Sequence, residues 1–462
     1  MRGYSWLLLI AFPILLWADP PAVEWNRTFG GPFLDGCHRV LQLPNGEFLC
    51  AGYMESEVIS NYDIWLLWTN AAGDSLRSRI YDFEEHDFVL DIVGTTDGGY
   101  ALLCYSENTE PILRLLRTDE QGDTLWSRSL TYAYSRGFIR EANDGGFILL
   151  YSAYNPASAG SAAKLVRYNS DGDTLWTRIY DTPRDDECWG ILQTDSGYVI
   201  VAESGYDETN GNLWIIYTNL QGDSTRSFWF PQGPDFSMCH SLHFTNDNGM
   251  ILSGYRGQVG QEFTAWLLKM NLEGDTLWSR TYDSHYGNRW AVLATPLTDG
   301  GFLVTAYNQV MRADGQGNPL WQYDPNLDVY IMRTIQTADG GFMLTGMCDQ
   351  DISNTDLWLQ KLAPELAVDQ PPLAVAKDFT LAAYPNPFNP VTTLSFHLPH
   401  ATHTRLAVFD VSGRLVSVLA DGSYNAGEQT VRFDGGSLTS GLYFVRLDAG
   451  GISQTRKIVL LK

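Results

Sequence analysis

Apolar and polar positions alternate in short runs along most of the chain, and no long stretch repeats them at helical spacing. Segments such as Asp63-Ile64-Trp65-Leu66-Leu67, Leu213-Trp214-Ile215-Ile216 and Asp356-Leu357-Trp358-Leu359 read as strands. The turns between such runs recur in a fixed order. An apolar strand, as in Arg39-Val40-Leu41 or Gly190-Ile191-Leu192, leads into an Asp-Gly-Gly turn or a near variant. The seven copies lie at Asn45-Gly46, Asp97-Gly98-Gly99, Asp144-Gly145-Gly146, Asp195-Ser196-Gly197, Asp247-Asn248-Gly249, Asp299-Gly300-Gly301 and Asp339-Gly340-Gly341. Glycine suits the positive φ of such hairpin turns. A second strand then opens, in most copies, on an aromatic (Phe48, Tyr100, Phe147, Tyr198, Phe302, Phe342), and a third follows. The third ends in an Asn/Asp-x-x-Gly turn, as from Asn70 to Gly73 or Asn271 to Gly274. The fourth strand is Thr-Leu-Trp-Ser-Arg, clearest after Gly122, Gly172 and Gly274 and weaker after Gly73, Gly222 and Gly317.

Four strands per unit and seven Asp-Gly-type turns predict the four-stranded blades of a β-propeller. The last unit, 327–364, stops after its third strand, while the half-repeat Glu24-Trp25-Asn26-Arg27-Thr28-Phe29-Gly30 supplies a fourth strand alone. Joining the two removes an open sheet edge. The expectation is an all-β chain with a seven-bladed β-propeller over 19–365, closed by its N-terminal strand.

The connection from second to third strand is the variable part. It is long at 54–62, 154–162, 204–211, 256–263 and 348–355, and nearly vanishes between Ala306 and Val310. In a propeller these loops share one face with the links between blades. Two of those links are acidic, Phe83-Glu84-Glu85-His86-Asp87 and Pro183-Arg184-Asp185-Asp186-Glu187. Irregular loops on a regular scaffold are where ligands bind, so the missing loop predicts a notch that a ligand would use. Candidate ligand-face residues are Glu85, His86, Asp185, Asp186, Tyr206, Tyr255, His285 and Tyr307. His38 and His240 hold equivalent positions in blades one and five, too far apart to share a metal. The adjacent acids Asp185 and Asp186 are the pair a glycoside hydrolase would need, although neighbouring loop acids are ordinarily solvated. Asn169-Ser170-Asp171-Gly172-Asp173 resembles a calcium loop only superficially. It lacks the closing bidentate glutamate and the flanking helices.

Beyond a linker at 366–378, which contains Pro371-Pro372, the pattern changes. Alternation and turn glycines over 379–462 predict a small antiparallel, Ig-like β-sandwich of roughly seven strands. It begins Tyr384-Pro385-Asn386-Pro387-Phe388-Asn389-Pro390 and continues through Asp410-Val411-Ser412-Gly413-Arg414 and Ser440-Gly441-Leu442-Tyr443-Phe444-Val445. It ends Arg456-Lys457-Ile458-Val459-Leu460-Leu461-Lys462. This ordered set closely resembles the C-terminal sorting domain of type IX secretion substrates of Bacteroidetes-like Gram-negative bacteria. The resemblance implies that Pro385, Asn386, Pro387, Gly413, Gly441, Leu442, Tyr443, Lys457 and Lys462 belong to a sorting signal read by the type IX secretion machinery. It further implies removal of the domain near the linker and delivery of the cargo to the cell surface or the medium. The repeats also resemble those of secreted bacterial propellers, a likeness that implies no single activity.

Charge and cysteine fit an exported chain. Formal net charge is −24, which disfavours nucleic acid as a partner. Residues from Phe379 onward carry about +2, so the excess acid lies in the repeats. Met1-Arg2 and the apolar run 6–16, with Ala18 at a cleavage position, read as a signal peptide over 1–18. No later run is apolar enough to cross a membrane. The six cysteines fall at repeat-equivalent sites (Cys37, Cys188, Cys239) or in or near second strands (Cys50, Cys104, Cys348), and no Cys-x-x-Cys occurs. Buried thiols are expected, with no zinc site.

Catalytic signatures such as Gly-x-Ser-x-Gly and His-Glu-x-x-His are absent. The reading is therefore an exported, surface or released propeller that binds a glycan, peptide or protein, with no cofactor and no assigned catalytic residue. A propeller hydrolase with loop-borne acids and a structural surface spacer are the alternatives.

Overall fold

The computed structural model describes residues 18–56, 61–83, 86–107, 111–131, 133–158, 160–205, 212–230, 236–257, 263–282, 292–325, 328–351, 354–365, 381–398, 402–410, 414–449 and 452–462. The expected signal peptide and linker, together with Glu85, Tyr206, His285 and Gly413, lie outside the described residues apart from Ala18. The chain divides into two compact units, 1–365 and 366–462. No helix among the described residues is long and apolar enough to cross a membrane.

The first unit is built from antiparallel four-stranded sheets, each from consecutive strands. They span 35–81, 86–131, 133–180, 186–229, 236–282 and 292–323. A seventh sheet takes Val329–Gln336, Phe342–Asp351 and Asn354–Leu362, and its fourth strand is Val23–Phe29 from the N-terminus. Val23 pairs with Leu362 and Phe29 with Leu357. The seventh sheet meets the first, since Thr355 Oγ1 donates to the Asp35 carbonyl at 3.2 Å and Ala338 N–H to Gln42 Oε1 at 2.7 Å.

The repeated motif is a joint between sheets. In the fourth strands, Trp126 and Trp176 lie on Gly172 and Gly222 of the following sheet, both at positive φ, where an added Cβ would meet the indole. The motif arginine reaches the aspartate after that glycine, as Arg79 does to Asp123 at 2.7 Å and Arg178 to Asp223 at 2.8 Å. The N-terminal strand makes the same joint. Trp25 lies on Gly73 of the first sheet, and Arg27 stands 3.6 Å from Asp74.

The Asp-Gly-Gly turn has a second role that its glycines hide. In five sheets its aspartate pairs with a buried cation at the end of the third strand: Asp97 with Arg117, Asp144 with Arg167, Asp247 with Lys269, Asp299 with Arg312 and Asp339 with Lys361. Trp68 and Tyr217 stand in the place of the cation in the other two. Between sheets the core is apolar, with Trp68, Trp266 and Trp358 fully buried. All six cysteines are buried and unpaired.

The second unit has seven strands in two sheets. Leu381–Tyr384, Val391–Leu398 and Gly427–Asp434 form one; Leu415–Tyr424, Thr402–Asp410, Gly441–Ala449 and Ile452–Leu460 form the other. They share one core that includes Phe388, Phe396, Leu406, Val445 and Leu460.

Candidate functional site: a basic cavity among the first strands

The first strands of all seven sheets line one cavity of 710 Å³. Those strands carry apolar residues where they meet neighbouring sheets, so a charge among them stands out. Four charged side chains occur there, from sheets one, two, three and seven: Arg39, Asp91, Arg140 and Arg333. Asp91 is clamped between two of them, with Arg39 Nε donating to Oδ1 at 3.2 Å and Arg140 to Oδ2 at 3.0 Å. Ile139 N–H adds a third bond at 3.1 Å. Burial opposes the Asp91 charge, but Arg140, Arg39 and Arg333 outweigh it and hold the carboxyl below its usual range.

Arg333 is the cation left over. It makes no hydrogen bond or ion pair of its own among the described residues. Burial, with Arg39 and Arg140 beside it, pushes its pKa down to about 9, and it stays charged at neutral pH. His243 lies in the same field, and burial, then Arg333 and Arg140, push it down to about 3. It is neutral at physiological pH. Three positive charges against one negative thus line a cavity in a unit that is strongly acidic overall. Thr295, Thr334, Asn246 and Gln336 supply neutral polar groups around them. Such an arrangement can hold an anionic group without a metal or cofactor.

Of the described residues singled out from the sequence, His240 lines the cavity and the others lie elsewhere. His86 accepts from Tyr62 N–H at 3.4 Å, and its ring packs on that tyrosine at 5.0 Å. Asp185 and Asp186 are not brought together as a catalytic pair. Asp185 accepts from Ser161 N–H at 2.9 Å, whereas Asp186 is fully buried and accepts from Thr182 N–H at 2.6 Å and its hydroxyl at 2.9 Å. Asp87 caps its link in the same way, taking Phe83 N–H at 2.8 Å. Tyr255 packs on His240 and Phe263, and its hydroxyl lies 2.9 Å from the Met238 sulfur. Tyr307 occupies the two-residue turn of the short loop at φ 57°, with its ring on Tyr330. His38 and His240 are packed singly. His38 Nδ1 lies 3.2 Å from the Val89 carbonyl and His240 Nδ1 accepts from Val292 N–H at 2.9 Å, while burial pushes their pKa values down to about 4 and about 3.

In the second unit the opening motif is fastened to the last strand. Asn386 Nδ2 donates to the Lys457 carbonyl and its Oδ1 accepts from Val459 N–H, both at 2.9 Å. Both flanking X-Pro bonds, Tyr384-Pro385 and Asn386-Pro387, are cis, and Phe388 behind them is buried in the core. The Tyr443 hydroxyl donates to the Thr439 carbonyl at 2.8 Å, and Gly441 and Leu442 open that same strand. Lys462 closes the chain end, its Nζ 2.7 Å from the Gly436 carbonyl and its N–H 3.0 Å from Ser440 Oγ.

Residues 382–461 match a protein-family model described as a secretion system C-terminal sorting domain. The chain carries a type IX sorting domain at its C-terminus. That domain implies engagement of the type IX secretion machinery, and secretion to the cell surface or the extracellular medium.

About three quarters of the chain is similar to several solved structures. One is a protein of unknown function from Dyadobacter fermentans (10% identity, 75% of this chain and 100% of that one, TM-score 0.45). Another is the Neurospora crassa Pan2 WD40 domain (8%, 76% and 98%, 0.48). A third is the β-propeller domain of the Trilobed protease from Pyrococcus furiosus (11%, 75% and 99%, 0.43). No curated protein matches the chain.

Proposed function

We propose that the first unit is a seven-bladed β-propeller closed by its N-terminal strand and acts, at the cell surface or in the medium, as a binding module. The sorting domain, which we take to be an Ig-like sandwich following a linker at 366–378, delivers it. The ligand carries a carboxylate or sulfate on a group of saccharide size, held in the cavity by Arg333 with Arg39 and Arg140 beside it.

One observation carries this reading. Arg333 is a half-buried guanidinium lining the cavity, with no hydrogen bond of its own among the described residues, while the single carboxylate there is already shared by two other arginines. Partly desolvating a charge that has no partner is unfavourable, and an anion in the cavity would offset that cost. The neutral polar lining and the 710 Å³ volume fit a polar ligand larger than a simple ion.

The test is an array of uronate- and sulfate-bearing oligosaccharides, with neutral oligosaccharides alongside, probed with the full chain and with Arg333→Met. Acidic members should bind more weakly as salt rises, and the variant should lose at least roughly tenfold in affinity, as removal of a charge-assisted contact predicts. Equal binding of neutral members, or an unchanged variant, would refute the assignment.

A further inference from the structure

Three carboxylates converge at the seam between the first and second sheets. Asp63 lies near the start of Tyr62–Thr69, Asp82 directly follows Ser75–Tyr81, and Asp87 is the second residue of His86–Gly94. One oxygen from each lies within 4.8 Å of the others. Asp87 is engaged already, accepting from Phe83 N–H at 2.8 Å and from the Ser106 hydroxyl.

Asp63 is not. It is only 9% exposed, and it makes no hydrogen bond or ion pair among the described residues. Its carboxylate faces two further acids. Arg114, on the third strand of the second sheet, acts on Asp87 but does not form an ion pair with Asp63: its guanidinium stacks 4.0 Å over Phe83 and donates to Ser129 Oγ at 3.2 Å. A largely buried carboxylate turned toward two others, with no donor among the described residues, is a place where a cation would offset the charge.

The seam between the seventh and first sheets shows what is particular here. Asp356 and Asp35 take the places of Asp63 and Asp87, but Gly30 stands where Asp82 would be, and an added Cβ there would meet both carboxylates. The first seam has the third acid and the seventh does not.

We propose that Asp63, Asp82 and Asp87 bind a calcium ion. The ligand set is all oxygen and carries three negative charges, which selects a hard divalent cation over zinc or copper. Oxygens around calcium lie about 2.3–2.6 Å from it, so opposed ligands stand up to about 5 Å apart, matching the spacing. Calcium completes its irregular shell with water or backbone carbonyls, whereas magnesium requires a near-octahedral set. The bound ion ties the third strand and the end of the fourth strand of one sheet to the first strand of the next. A site of this kind fills in calcium-rich extracellular surroundings, where modules bind at about 10⁻⁴–10⁻³ M.

The test uses the full chain freed of metal by a chelator. Calorimetric titration with calcium chloride should show one ion per chain, and calcium should raise the melting temperature. Asp63→Asn and Asp82→Asn keep the side-chain volume and remove the charge, and each should weaken binding at least roughly tenfold. Asp195→Asn, an exposed acid on the turn of the fourth sheet, should leave it unchanged. Absence of heat and of any melting shift at about 5 mM calcium overturns the site. Equal calcium binding by the wild type and both seam variants places the ion elsewhere, and magnesium binding as tightly as calcium overturns the choice of ion.

Discussion

The pairing of a buried arginine with the aspartate of an Asp-Gly-Gly turn can be tested most directly at Arg167 and Asp144. The Arg167 side chain is 8% exposed and that of Asp144 is 67% exposed, so the two partners are not equivalent. Arg167 donates to the carbonyls of Phe147, at 3.1 Å, and Tyr168 as well as to the Asp144 carboxylate. It thereby ties the start of the second strand to the end of the third. Replacing it with Met keeps the apolar stem but strips donors from two buried carbonyls. Each such loss costs about 1–3 kcal/mol, so Arg167→Met should destabilise the first unit by about 2–6 kcal/mol. Asp144→Asn acts in a solvated position and should cost about 1 kcal/mol or less. In the double variant the costs should fall short of their sum by about 1 kcal/mol, the coupling between the partners. Urea unfolding followed by tryptophan fluorescence isolates this unit, because residues 366–462 contain no tryptophan. An Arg167→Met chain within about 0.5 kcal/mol of wild type, the range of an ordinary surface change, would refute the role assigned to the arginine. Strict additivity would show that the aspartate does not act through it.

Two further outcomes follow from the same packing. Deleting residues 22–31 removes the strand on Asn354–Leu362 and the Trp25 joint to Gly73, and should lower stability by several kcal/mol, on the order of one strand's hydrogen bonds and one indole's burial; equal melting temperatures would rule out closure by that strand. Glu203 is buried and its pKa is raised by burial from 4.5 to about 8, so its protonated form stabilises the fold fully below about pH 4.5, and that contribution is lost as pH rises through about 8. Relative to Glu203→Gln, wild-type stability should fall by up to about 1.4 kcal/mol per pH unit across this window, and parallel pH profiles would contradict the burial argument.

Much of the architecture was legible in residue order because it rests on local rules. Strand alternation, glycines at positive φ and the Asn-x-x-Gly turns are dictated by neighbours a few residues apart. The sorting domain was legible for a different reason, since its motifs recur as an ordered set. The half-repeat around Trp25 pointed to a partner strand because a lone fourth strand has an unpaired edge.

The chemistry was not legible to the same degree. Asp185 and Asp186 look like a catalytic pair only in one dimension; in a pleated strand start, adjacent side chains take opposite directions, and Asp186 turns inward to cap its link. Arg39, Asp91, Arg140 and Arg333 are spread over 295 positions (39 to 333), each on the first strand of a different sheet, and only the Arg333 strand carries no second charge. Such a charge is a signal, but nothing along the chain says that these four share a cavity. Asp63, Asp82 and Asp87 likewise sit on three different strands or their ends. Local turn and strand preferences act over a few residues and so can be read from sequence. The meeting of side chains from separate sheets depends on how those sheets pack around one another, and only the tertiary structure decides it.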